Sequence, residues 1–396
     1  MNNQPKKLDR RKFLYAGLGA AIVVVGGLAA YFATRPPERI VETVEKPVEK
    51  TVVQTQIQTV ERTIQVTETP AKKLRLGYIT RLSVPWWIVA EEGFKAGARK
   101  NGAEPVIYHP PELTSEDQVR VLDSWVAAGL DGIMIGPNDP AAPIDVINRA
   151  IDRGVPVVTG FGVDSPKSKR LLFLGYDPYQ LGVALGKGMV KLLELAGKKP
   201  PGTITYHTGG MASTEDVASW EGFKKIVEGA GYKVVEPILD GGDAAKAVAL
   251  AEQAIKLYPD LVGMLGYYDY TGPALGKAVT DAGKQGQIIV HADGLIGPMV
   301  PYFQSGVIGA TIELRQYEGS LLGAEILAKC ALTGKAKWDD IIKQYVPEYP
   351  AKKELLLPFG WVTGKKLDVK PWPELGWIKT LDEFKNEFPE VWKIIG

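Results

Sequence analysis

From Leu74 to the C-terminus, apolar runs with strand character alternate with stretches of helical spacing. The first unit is LRLGYITRLSVPWWIVAEEGFKAGARKNG. LRLGYI reads as a buried strand. In the second half Ile88, Val89, Phe94 and Ala98 fall on one helical face, and Gly102 suits a C-cap. Pro85 stands at the helix start, where its missing N–H costs least. Between them, TRLSVPWW is a loop with one arginine and two adjacent tryptophans. Strand, loop and helix make the first half of a βαβ unit, and ligands bind beyond the strand ends of such units.

The pattern predicts further strands at 104–109, 131–136, 155–162 and 170–177, with helices at 114–128, 144–153 and 179–195. Thr114 and Asp117 approximate a capping box for the first of these helices. A second series follows, with strands at 202–207, 232–239, 261–269, 287–294 and 307–314 and helices at 215–228, 244–257, 272–282, 298–304 and 317–332. Apolar strands alternating with amphipathic helices imply parallel sheets covered on both faces. Two similar series are too many strands for one ordinary sheet, so the fold class expected is α/β with two doubly wound parallel-sheet lobes.

The N-terminal part reads differently. Residues 6–12, KKLDRRK, are strongly basic, and residues 13–33 are apolar almost throughout. That length can span a bilayer, and the basic flank places the N-terminus inside and the remainder outside. Arg10-Arg11-Lys12-Phe13-Leu14 also matches the twin-arginine export pattern. Residues 1–34 are therefore an export signal or an uncleaved anchor, with the anchor favoured because no clean cleavage site closes the apolar run. Residues 35–73 form a low-complexity stalk rich in Val, Thr, Glu, Gln and Lys. Its spacing suits either a coiled coil or an extended rod.

Composition narrows the function. Lys+Arg 47 against Asp+Glu 46 leaves no basic excess for nucleic acid. One cysteine, Cys330, allows no internal disulfide, and AEILAKCALTG places it in a helical core. His109, His207 and His291 are far apart and form no metal-ligand pattern. There is no G-x-S-x-G, no P-loop and no H-E-x-x-H, so neither enzymatic activity, a metal nor a cofactor is expected.

Several motifs, in order, carry a resemblance: VPWWIVAEEGFKAGARKNG, GLDGIMIGPNDPAA, IDRGVPVVT, LGYDPYQLGVALG, SWEGFKKIVEGAGYKVV, YYDYTGPALGKAVTDAG, HADG and ATIELRQYEG. Residues from Leu74 to about Gly334 resemble the type I periplasmic-binding-protein family in its monosaccharide-binding branch. The resemblance implies two lobes joined by three hinge strands, with crossovers near 176–179, 311–316 and 355–362. It gives an N-terminal lobe of 74–177 plus 312–354 and a C-terminal lobe of 178–311 plus 355–396. It also implies an extracytoplasmic solute-binding protein of an ABC importer, acting as a monomer and delivering its ligand to a membrane permease. A membrane-anchored sensor with the same module is the alternative, as is a nucleoside or furanosyl signal in place of a sugar. Relatives often carry an arginine in the helix before the Trp220-Glu221-Gly222-Phe223 stretch. Here TEDVAS stands there, so Arg81 or Arg315 is expected to take that role.

A sugar presents an apolar ring face and a rim of hydroxyls, so its site needs a flat aromatic wall and groups that form paired hydrogen bonds. The strand-end loops offer Trp86, Trp87, Arg81, Asn138, Asp139, Phe161, Tyr176, Tyr268, Asp269, Asp293 and Gln316. Asp269 and Asp293 lead this set. Competing structural roles are core packing for one tryptophan, helix capping for Asn138, Asp139 and Asp293, and packing at the crossover for Tyr176. The Trp-rich tail from Trp338 is expected to wrap the second lobe and to end in an amphipathic helix over 381–395.

Overall fold

The computed structural model describes residues 73–112 and 114–396; the expected export segment, anchor and nearly all of the stalk lie outside them. Strands β1 (Arg75–Ile79), β2 (Glu104–Tyr108), β3 (Gly132–Ile135), β4 (Val157–Gly160) and β5 (Leu172–Gly175) start the first sheet. Strands β6 (Thr203–Thr208), β7 (Lys233–Val234), β8 (Ile238–Leu239), β9 (Leu261–Gly266), β10 (Ile289–Asp293) and β11 (Ile308–Glu313) start the second. β12 (Glu354–Leu356) returns to the first sheet, and β13 (Phe359–Thr363) and β14 (Leu375–Thr380) complete the second. The orders are β12-β5-β4-β3-β1-β2 and β14-β13-β11-β10-β9-β6-β7, with β8 pairing further along β6.

The helices are α1 (Pro85–Lys100), α2 (Ser115–Ala127), α3 (Ile144–Asp152), α4 (Pro178–Leu195), α5 (Thr214–Gly229), α6 (Ala244–Leu257), α7 (Thr271–Asp281), α8 (Val300–Gln304), α9 (Gln316–Thr333), α10 (Trp338–Lys343), α11 (Leu381–Glu387) and α12 (Pro389–Ile395). The chain crosses between the sheets three times, from β5 to α4, from β11 to α9, and from β12 to β13. Ile312 and Glu313 belong to the second sheet and Leu355 and Leu356 to the first, so the lobe bounds lie later than the expected 312 and 355.

The first sheet is parallel throughout, but the second is mixed, because β13 runs antiparallel to β11. Only Leu357 and Pro358 separate β12 from β13. The chain leaves the C-terminal end of one sheet and continues straight into the other lobe, opposite to strands that end at the same divide. Three further departures are local. Glu236-Pro237 splits the strand expected at 232–239 into β7 and β8, since proline has no N–H for the ladder. Pro389 divides the closing helix into α11 and α12. Thr114 has extended N-cap geometry but makes no capping hydrogen bond.

A repeated Glu-Gly-Phe triplet shows why the helices pack as they do. A Cβ on Gly93 of α1 would run into the Tyr317 carbonyl of α9, and one on Gly222 of α5 into the Tyr179 carbonyl of α4. Phe94 and Phe223, next in sequence, are fully buried in their lobe cores. Glycine lets two backbones touch while the phenylalanine fills the space beneath. Gly222→Ala is expected to cost about 1–2 kcal/mol, because the rigid α4–α5 pair must separate to admit a methyl group. Chemical denaturation would show this as a lower midpoint at unchanged slope; an unchanged midpoint would contradict it.

The tail does more than wrap. β13 and β14 extend the second sheet, and Trp361 is fully buried there against Trp372. Trp338 instead enters the first lobe's core, where its indole N–H donates to the Cys330 carbonyl at 3.0 Å. Cys330 itself is buried, and burial pushes its thiol up to about 12, as befits a packing residue.

Candidate functional site

The strands of the first sheet, and β6 to β11 of the second, end toward the divide between the lobes, and their following loops face each other there. On the first-lobe side, the Arg81 Nε donates to Asn138 Oδ1 at 2.9 Å. Asn138 is fixed in turn by its amide N–H to Gln118 Oε1 at 2.9 Å and its Nδ2 to the Thr114 carbonyl at 3.2 Å. Gln118 is buried and also donates to the Thr80 and Gly136 carbonyls, which ties the β1 and β3 loops together. Trp87 is buried and packs over Gly136. Trp86 is only partly buried, with its ring edge-on to Trp87 at 4.7 Å and to Phe161 at 5.9 Å. Trp86 packs against the apolar cores of both lobes, and Val89, one turn further along α1, joins a core cluster of the second. The lobes are therefore in contact through α1.

On the second-lobe side, β9 runs into Tyr267-Tyr268-Asp269-Tyr270. The Tyr268 hydroxyl donates to Asp216 Oδ1 at 2.6 Å, and the Tyr270 hydroxyl to Asp240 Oδ1 at 2.6 Å. The Tyr268 and Tyr270 rings stack at 6.4 Å. Asp216 also belongs to the α5 capping box with Ser213, so the helix start aims it at the tyrosine. Asp293, at the end of β10, is 6% exposed, and its Oδ1 has no hydrogen-bond partner. Burial, together with the nearby Asp269 carboxylate, raises its pKa to about 7. Glu313, ending β11, is pushed to about 8 by burial and by Glu318 and Asp293. Gln316, at the start of α9, is buried with its Oε1 unpartnered.

Burial holds the Tyr176 hydroxyl well above the ordinary range, with Glu215, Asp293 and Tyr268 adding to the shift and Arg81 opposing it. Glu215 is likewise raised by burial and lowered by Arg81. The Arg81 guanidinium, from the first lobe, thus acts on the Tyr176 hydroxyl and on one second-lobe carboxylate, Glu215. Three non-glycine residues in the described chain have left-handed backbones: Phe161 (φ 51°), Tyr268 (φ 77°) and Arg315 (φ 58°). All three flank this divide, and such backbone strain concentrates at ligand sites.

The structure brings together Arg81, Asn138, Trp86, Phe161, Tyr176, Tyr268, Asp269, Asp293 and Gln316. Trp87 packs mainly into the core beneath the loop. Asp139 is exposed, and its Oδ1 is occupied by the Ala141 and Ala142 amides at 2.7 and 2.8 Å, which makes it a turn cap. Arg315 turns away, with its Nε on Glu318 at 2.9 Å and its Nη1 on the Pro358 carbonyl at 3.3 Å. Sequence reasoning passed over Gln118, Glu215, Asp216 and Glu313. The signal for Glu215 and Asp216 was TEDVAS itself, read there only for the arginine it lacks.

This architecture defines a two-lobed binding protein. The chain belongs to the periplasmic binding protein domain family, which it matches over residues 79–335. It is a binding protein rather than an enzyme. It is 23% identical over 273 residues to the D-ribose/D-allose-binding protein of Pseudomonas aeruginosa, covering 66% of this chain and 83% of that one. A solute-binding protein of an ABC transporter from Burkholderia graminis, solved in complex with D-arabinose, shares the fold with TM-score 0.59 and 24% identity, over 74% of this chain and 96% of that one. AraP, an arabinose-binding protein from Geobacillus stearothermophilus, aligns with TM-score 0.61 and 20% identity, over 74% and 97%.

Proposed function

We propose that the chain is an extracytoplasmic solute-binding protein of an ABC importer that encloses a monosaccharide-sized polar ligand between its lobes and delivers it to a permease. The observation that carries this reading is the set of buried, unpartnered acceptors, Asp293 Oδ1 and Gln316 Oε1, beside the Trp86–Phe161 aromatic wall. Such groups are costly without a donor, and the hydroxyl rim of a sugar supplies donors. The ring face lies on Trp86, Arg81 and Asn138 hold one edge, and Asp293, Asp269 and Tyr268 hold the other. Tyr176 and Gln316 close the site at the crossings. The three crossings act as the hinge, and the ligand selects the closed arrangement by its higher affinity for it. The basic and apolar N-terminal segment tethers the binding unit outside the membrane. The relatives' sugar ligands support the substrate class.

Thermal shift of residues 73–396 against pentoses, hexoses, nucleosides and amino acids tests the reading. A sugar at a hundred times its Kd should stabilise by about 2.7 kcal/mol, and Trp86→Ala or Asp293→Ala should abolish the shift. A shift with amino acids alone would overturn the ligand class.

A further inference from the structure

Five carboxylates, Glu215, Asp216, Asp269, Asp293 and Glu313, converge on the second-lobe side of the divide. Arg81 couples to one of them, Glu215, and to the Tyr176 hydroxyl, and its Nε is already engaged by Asn138. Arg315 is taken by Glu318 and Pro358. Buried groups without a partner at this end include one hydroxyl donor, that of Tyr206, as well as two acceptors. The hydroxyl protons of Tyr268 and Tyr270 are spent on Asp216 and Asp240, while Asp293 Oδ1 and Gln316 Oε1 are buried acceptors with nothing donating to them. A neutral sugar would bring donors but no charge, so the buried Asp293 and Glu313 would keep their protons near neutral pH and ionise only at a cost. An ammonium brings three donors and a positive charge at one point.

We propose that the preferred ligand is a polyhydroxylated amine, of the amino-sugar class, whose ammonium is held by Asp293 and its neighbouring carboxylates. This rests on the sugar-binding reading above and narrows it. The ring still lies on Trp86, and the hydroxyls still meet Arg81 and Asn138. The amine replaces one hydroxyl on the Asp293 side, where it meets an acceptor that lacks a donor.

Titration calorimetry at pH 6.5 with matched pairs tests it: D-glucosamine against D-glucose, D-galactosamine against D-galactose, and 1-deoxynojirimycin as a ring amine. At least one amine should bind about tenfold or more tighter than its neutral counterpart, as a charge-assisted bond to a buried carboxylate requires. Asp293→Asn should shrink that preference to about twofold while the variant keeps its cooperative thermal transition. Neutral sugars binding as tightly as the amines, or tighter, would overturn the amine proposal and leave the sugar-binding function standing. Failure of every sugar, aminated or not, would remove both.

Discussion

Trp361→Ala is expected to destabilise the second lobe by about 3–5 kcal/mol, the range for truncating a fully buried large aromatic. Trp361 sits on β13, fully buried, at the centre of the second lobe's apolar core. Its ring meets Trp372 edge-on at 5.1 Å. The same side chain carries a polar obligation: its indole N–H donates to His291 Nε2 at 2.9 Å. Burial keeps His291 neutral, with its pKa pushed down to about 3. Alanine would therefore open a cavity and leave a buried imidazole nitrogen without a donor, two losses that add. Trp361→Phe separates them by keeping most of the volume and removing only the N–H, for about 1–3 kcal/mol. Urea unfolding of residues 73–396 followed by far-UV circular dichroism measures both. A wild-type midpoint in Trp361→Ala would mean that β13 is peripheral to the lobe.

That result would also bear on how the sequence encodes the fold. The alternation of apolar strands and amphipathic helices was legible because each element is long and strongly periodic, and both series recur as sheets. The tail was not, since β13 and β14 each follow proline-containing links and their direction depends on where β12 ends. FGWVT reads as a strand, but its antiparallel pairing with β11 comes from the crossing at Leu357-Pro358 rather than from any local pattern. At the site, residues that end strands were readable: Asp293 closes β10, and Phe161 follows β4. Periodicity cannot say which of two adjacent tryptophans faces inward, nor that the Asp139 carboxylate turns back onto its own loop. Asp216 escaped because TEDVAS was read only for the arginine it lacks, and the partner that shows its role, the Tyr268 hydroxyl, lies 52 positions away.

Ligand-free protein is expected to lose stability as pH rises from about 6.5 to 8.5, by on the order of 3 kcal/mol, through two buried carboxyls. Asp293 titrates near 7 in the fold against an ordinary 3.8, and Glu313 near 8 against 4.5. Between those limits the folded chain holds protons that the unfolded chain has released. The stabilisation is therefore complete below the unfolded values and is lost as pH passes the folded ones. Asp269 and Glu318 sharpen the effect, because each places a further negative charge beside a group already desolvated. Two buried histidines act oppositely on the acid side: His207 and His291 are both held near 3, so the unfolded chain binds protons first as pH falls below about 6.5. The two trends offset each other between about 4.5 and 6.5, leaving the alkaline decline as the visible signature. Differential scanning calorimetry across pH 5 to 9 should show it, and the Asp293→Asn, Glu313→Gln double variant should remove it. A double variant that declines in parallel with the wild type would sink the attribution. Saturation with a ligand that donates to Asp293 should flatten the same slope, because a satisfied carboxylate ionises more easily in the fold and no longer retains its proton at neutral pH.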